Sequence, residues 1–75
     1  MITLDGLLER ITYYNEENHY ASTKLKNDAA RSLVTVVGYM PAVSPGEALT
    51  VRGTWETHPR YGQQLKIESY EVTLP

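Results

Sequence analysis

Tyrosines interleaved with lysines are the residues of this chain best suited to chemistry. In the segment from Tyr20 to Lys26, every second position gives Tyr20, Ser22, Lys24 and Lys26 one common side, and Thr35, Val37 and Tyr39 take the equivalent side of a later segment. Rings that stack on bases and ammonium groups that meet phosphates make this face a candidate surface for nucleic acid. The same residue types also cover an ordinary solvated sheet face, so the pattern alone does not choose. Arg60 and Tyr61 form a second candidate: Pro59 and Gly62 hold a turn around them that presents a guanidinium and a phenol outward. The single Trp, Trp55, shares parity with Val51 and reads as core.

Other chemistries find little support. His19 and His58 are the only histidines, there is no cysteine, and no close carboxylate pair stands at metal-ligand spacing around them. Both read as surface turn residues. Glu16 and Glu17 are adjacent in a turn and diverge, which suits neither general acid-base work nor phosphate binding. Ser22, Ser32, Ser44 and Ser69 have no histidine that the sequence places beside them, so a hydrolytic triad is not expected. No Gly-x-x-x-x-Gly-Lys-Ser/Thr loop occurs, and with it goes any expectation of a nucleotide-driven enzyme within these residues. No catalytic residue, cofactor site or metal site is assigned.

Composition bounds what can position these side chains. Seventy-five residues make one small domain with no room for a second. Without cysteine, burial is the evident source of stability. A formal net charge of −2, from seven Lys and Arg against nine Asp and Glu, disfavours tight autonomous binding to a phosphate backbone. Any such contact should be weak. Six Tyr, one Trp and no Phe give amphipathic rings fit for barrel edges and stacking surfaces. The apolar runs, such as Leu33 to Val37, are far shorter than the roughly 20 residues of a membrane span. Ile2, Thr3, Leu4 and Asp5 after Met1 show no signal-peptide pattern. The expectation is a soluble, cytoplasmic, monomeric domain without a membrane partner.

Five strands are predicted. The first runs from about Leu4 to Tyr14 and ends at the polar turn Asn15 to His19; Leu8 lies on one parity and Ile11 and Tyr13 on the other, which implies a bulge near Glu9 or Arg10 if all three are to be inside. The second, Tyr20 to Lys26, puts Ala21, Thr23 and Leu25 inward. The third, Ser32 to Tyr39, sets Val34, Val36 and Gly38 against Thr35, Val37 and Tyr39, which leaves Val37 exposed. Pro41, Pro45 and Gly46 then stop regular structure, allowing at most one short helical turn. The fourth strand, about Glu47 to Thr57, buries Leu49, Val51 and Gly53. The fifth, Gln63 to Leu74, changes parity between Ile67 and Tyr70 and needs its own bulge.

Five strands in so short a chain leave two unpaired edges unless the sheet closes. A long bent first strand, a three-strand meander and a longer connection into a hairpin fit an all-β, five-stranded OB-type Greek-key barrel, with Gly38 and Gly53 easing the coil. In that fold, ligands meet strands two and three and the loops joining strands one to two and four to five. The candidate nucleic-acid-binding set is accordingly Tyr20, Lys24, Lys26, Tyr39, Arg60 and Tyr61.

Four blocks occur in order: the run from Glu9 to Tyr20, Val34-Thr35-Val36-Val37-Gly38, Pro45-Gly46-Glu47, and Trp55 to Lys66 with His58-Pro59-Arg60-Tyr61-Gly62-Gln63 inside it. Together they resemble the N-terminal OB domain of RecD/TraA-type ATP-dependent DNA helicases, the family of the exodeoxyribonuclease V alpha subunit. The resemblance implies that residues 1–75 are the N-terminal OB domain of a larger DNA repair helicase that uses ATP and magnesium elsewhere in its chain. It implies a non-catalytic module that weakly binds or guides single-stranded DNA; the alternative is a docking module packed against the helicase body or a partner subunit. One departure stands out: His19 occupies the end of the first turn, where the family usually has glycine.

Overall fold

Alternation of apolar and polar residues, interrupted by Asn-rich and Pro/Gly turns, divides the chain into β1 (Ile2–Tyr14), β2 (Tyr20–Asn27), β3 (Ser32–Tyr39), β4 (Ala48–His58) and β5 (Gly62–Thr73). The computed structural model describes residues 1–27, 32–41, 43–60 and 62–73. The strands close into a barrel in the order β1-β2-β3-β5-β4, with β1 also paired to β4. The β3–β5 seam is parallel; all other pairs are antiparallel. The expected five-stranded OB barrel is the fold observed. Among the described residues the connection from β3 to β4 contains turns and no helix, and Gly46 takes a φ of 93° there.

The first strand serves both sides of the barrel. Its first half pairs with β4 from Ile2↔Gly53 to Leu7↔Ala48, and its second half pairs with β2 from Gly6↔Asn27 to Tyr14↔Ala21. Register shifts fall between Leu8 and Arg10 and again between Ile11 and Tyr13. The first is the expected bulge. The second, at Thr12, was not foreseen, and it corrects the placement of Tyr13: the ring turns outward beside Ser22 and is 53% exposed. Thr12 donates its hydroxyl to the Ser22 carbonyl at 2.8 Å, which satisfies an acceptor at the shift. The bulge expected in the fifth strand is also present, since Arg52 pairs with Ser69 and Gly53 with Ile67, leaving Glu68 as the extra residue.

Inside lie Leu8, Ala21, Leu25, Val36, Met40, Leu49, Val51, Leu65 and Ile67. Thr23 is buried with them and donates to the Val36 carbonyl at 3.1 Å, so its hydroxyl carries no unmet desolvation cost. Two expectations of burial fail. Trp55 is 39% exposed, because pairing between β1 and β4 stops at Gly53 and leaves the far edge of β4 beyond it without a neighbouring strand, while its partner Leu65 stays buried beside β3. Val37, expected to be exposed, is buried at 3%, because the face it points to is roofed rather than open to water.

The turn from β1 to β2 is fixed by its own polar groups. Asn15 Oδ1 accepts from the Glu17 amide at 2.9 Å, Asn18 Oδ1 accepts from the Tyr20 amide at 3.0 Å, and the His19 amide donates to the Asn15 carbonyl at 2.7 Å. His19 has a φ of 59°, the left-handed conformation that favours glycine. Its ring is not idle: Nδ1 lies 2.7 Å from the Tyr14 hydroxyl, and the ring meets Tyr39 edge-on at 5.8 Å. His19→Gly should therefore leave stability within about 1 kcal/mol, as relief of about 1–2 kcal/mol of backbone strain offsets the lost contacts. His19→Ala keeps the strain, loses the contacts, and should cost about 1–3 kcal/mol. Urea denaturation of the two variants orders them; a glycine variant less stable than the alanine one would show that strain is unimportant at this turn.

Candidate functional site

All five strands contribute to a groove of about 520 Å³ on the outer face of the barrel. Its floor is the β2–β3 pair, with Ser22 opposite Val37 and Lys24 opposite Thr35. The second half of β1 forms one wall through Thr12 and Tyr13, and the projecting hairpin forms the other through His58 and Gln64. Tyr20 lines the groove from the start of β2. This enclosure is why Val37 is buried. The volume lies within the range of about 300–1,000 Å³ usual for small-ligand sites.

The sequence-predicted residues divide. Tyr20 and Lys24 line the groove together with Ser22, Thr35 and Val37 of the face assigned from alternation. Lys24 directs its ammonium group to the Thr35 hydroxyl and is the one lysine or arginine lining the groove among the described residues. Lys26 lies further along β2, exposed between Leu7 and Leu33, and does not line it. Tyr39 pairs with Tyr20 but is 61% exposed and packs on His19 instead. Arg60 is exposed in the β4–β5 turn, where its amide donates to His58 Nδ1 at 3.0 Å. Tyr61 lies outside the described residues.

Four lining residues were missed: Thr12, Tyr13, His58 and Gln64. Tyr13 was hidden by the second bulge, which reverses its face. His58 has the sequence surroundings of a surface turn residue, yet it is the last residue of β4 and half-buried in the groove wall. For Gln64 the usable signal is its position opposite Glu56, a pairing that follows once the hairpin is centred on Arg60.

The groove is electrically mixed. Gln64 is buried at 7% and donates from Nε2 to Glu56 Oε1 at 2.7 Å, holding a carboxylate beside the hairpin wall. Burial pushes the Tyr20 phenol above its ordinary pKa, and the Glu56 carboxylate pushes it further the same way. Tyr20 thus stays a neutral hydroxyl donor through the physiological range. Among the described residues no three His, Cys, Asp or Glu side chains gather to hold a metal ion. What the arrangement can do is bind: flat rings at Tyr13 and Tyr20, a cation at Lys24, and hydrogen-bonding groups at Thr35 and Gln64, with the Glu56 carboxylate held beside Gln64.

The family model described as ATP-dependent DNA helicase YrrC, OB-fold domain, matches residues 1–75. No solved structure matches the chain.

Proposed function

This chain belongs to the family of OB-fold domains of the ATP-dependent DNA helicase YrrC, and from that premise we propose that its groove weakly binds or guides single-stranded DNA as a non-catalytic accessory of a RecD/TraA-type helicase. The motor that uses ATP and magnesium then lies elsewhere in the parent chain, with residues 1–75 ahead of it. The observation that carries the reading is the groove itself, in which Tyr13, paired with Ser22, and Tyr20 stand at one end and Lys24 follows further along the outer face of β2. Bases stack on such rings whatever their identity, and the cation meets the backbone. With one lysine in the groove and an acidic chain around it, salt should weaken binding only gently, with a log–log slope near about −0.7 for a single phosphate contact.

A heteronuclear NMR titration with a mixed-sequence octadeoxynucleotide checks this. Amide shifts should cluster at Tyr13, Tyr20, Ser22, Lys24, Thr35, His58 and Gln64, and Tyr20→Ala should weaken binding about 5- to 100-fold, the worth of one stacked base. Absence of shifts at millimolar oligonucleotide would remove the reading. A second reading then takes its place: Leu7 and Leu33, 44% and 53% exposed on either side of Lys26, form an apolar strip suited to packing against the helicase body or a partner subunit.

A further inference from the structure

The two sides of the groove differ in what they offer a nucleotide. On β2, Lys24 supplies a positive charge next to the Thr35 hydroxyl. Across from it, the hairpin wall supplies acceptors. Glu56 and Gln64 are direct partners across the β4–β5 ladder, and the amide of the buried Gln64 holds one carboxylate oxygen of Glu56 at 2.7 Å. Gln64 lines the groove, and Glu56 is near enough to the lining Tyr20 to act electrostatically on its phenol. A carboxylate offers about four lone-pair sites, of which this amide occupies one.

That polarity orients a bound strand. Phosphates are repelled by Glu56 and attracted by Lys24, so the backbone runs along β2 and the base edges face the hairpin. Unpaired bases present their Watson–Crick edges for reading. The guanine edge carries two donors side by side, N1–H and the N2 amino group, which match the two oxygens of a carboxylate. Cytosine and adenine each offer one amino group. Thymine offers a single N3–H between two carbonyl oxygens, and those oxygens face the carboxylate with like partial charge.

We infer that Glu56, held in place by Gln64, reads the base edge and makes this groove prefer guanine-containing single-stranded DNA over thymine tracts. The inference rests on the groove being a single-strand site. It makes Glu56 a specificity residue, where its charge by itself would mark it only as an obstacle to phosphate.

The test compares three octamers by NMR titration: octathymidylate, alternating thymidine and guanosine, and alternating thymidine and cytidine. The guanosine octamer should bind at least about fivefold more tightly than octathymidylate, with the cytidine octamer between them. Glu56→Gln keeps the side chain's size and removes its charge; Glu56 is exposed, so the variant keeps its fold. In that variant the guanosine preference should fall to within about twofold, while octathymidylate binds as well as before or better because the repulsion is gone. A merely structural role for Glu56 would weaken all three octamers together. Equal binding of the three by the unmodified chain, or a preference that persists in Glu56→Gln, overturns the inference and leaves the single-strand reading standing. No binding of any octamer overturns both.

Discussion

Gly53→Ala is expected to lower the free energy of unfolding by about 3 kcal/mol or more, at the upper end of what overpacking costs. The reason is backbone, not side chain. A Cβ at position 53 would sit 2.1 Å from the Lys66 carbonyl oxygen and 2.7 Å from the Ile67 Cα, both fixed in the neighbouring strand. Gly53 is also where β4 leaves β1 and where the β4–β5 register shifts around Glu68, so the strand cannot move aside without disturbing two ladders. A domain of this size has about 4–11 kcal/mol to lose. Thermal unfolding should fall by about 12–24 °C. A drop of less than about 4 °C would mean that the β4–β5 corner is looser than its geometry indicates.

Met40→Ala should be comparably severe, at about 2–5 kcal/mol by urea denaturation. Met40 is fully buried although it follows β3 and lies in a connection, and its amide donates to the His19 carbonyl at 3.0 Å. Among the described residues of the short connection, only the partly buried Val43 also packs against the core that this side chain fills. Truncation leaves a cavity that the closed sheet cannot collapse to fill. Met40→Leu, which conserves volume, should cost under about 1.5 kcal/mol. If the two variants were equally stable, Met40 would not be the plug its burial implies.

Much of the barrel was legible because a half-buried strand writes its two faces into alternate residues. Ala21, Thr23 and Leu25 were inside as expected, and the parity change between Leu8 and Ile11 announced a bulge. Alternation fails where a face is neither core nor water. Val37 has outward parity and is buried, because β1 and the hairpin rise around the outer face of β3. Trp55 has inward parity and is exposed, because β1 leaves the edge of β4 at Gly53 before β4 ends. The same limit shaped the candidate site. Tyr20 and Lys24 could be picked from their own strand, whereas Tyr13, His58 and Gln64 reach the groove only through a bulge and a hairpin whose course depends on long-range pairing. Met40 gave no signal, since a methionine before proline reads as loop.

The paired bulges of β1 have a consequence for length. The extra residue at Glu9 turns Arg10 outward and Ile11 inward, and the extra residue at Thr12 restores the original phase, with Tyr13 toward the groove and Tyr14 toward Ala21. The two therefore act as a frameshift and its suppressor. Flattening either one alone, with its extra residue kept in the ladder, inverts everything that follows it in the strand, sending the groove tyrosine to the core side. Flattening both keeps Tyr13 in place but turns the Arg10 charge inward in place of Ile11. Deleting Glu9 or Thr12 takes out a bulge together with its extra residue and leaves Ile11 and Tyr13 on their own sides, whereas an inserted residue that forms no bulge of its own carries the groove tyrosine to the core side.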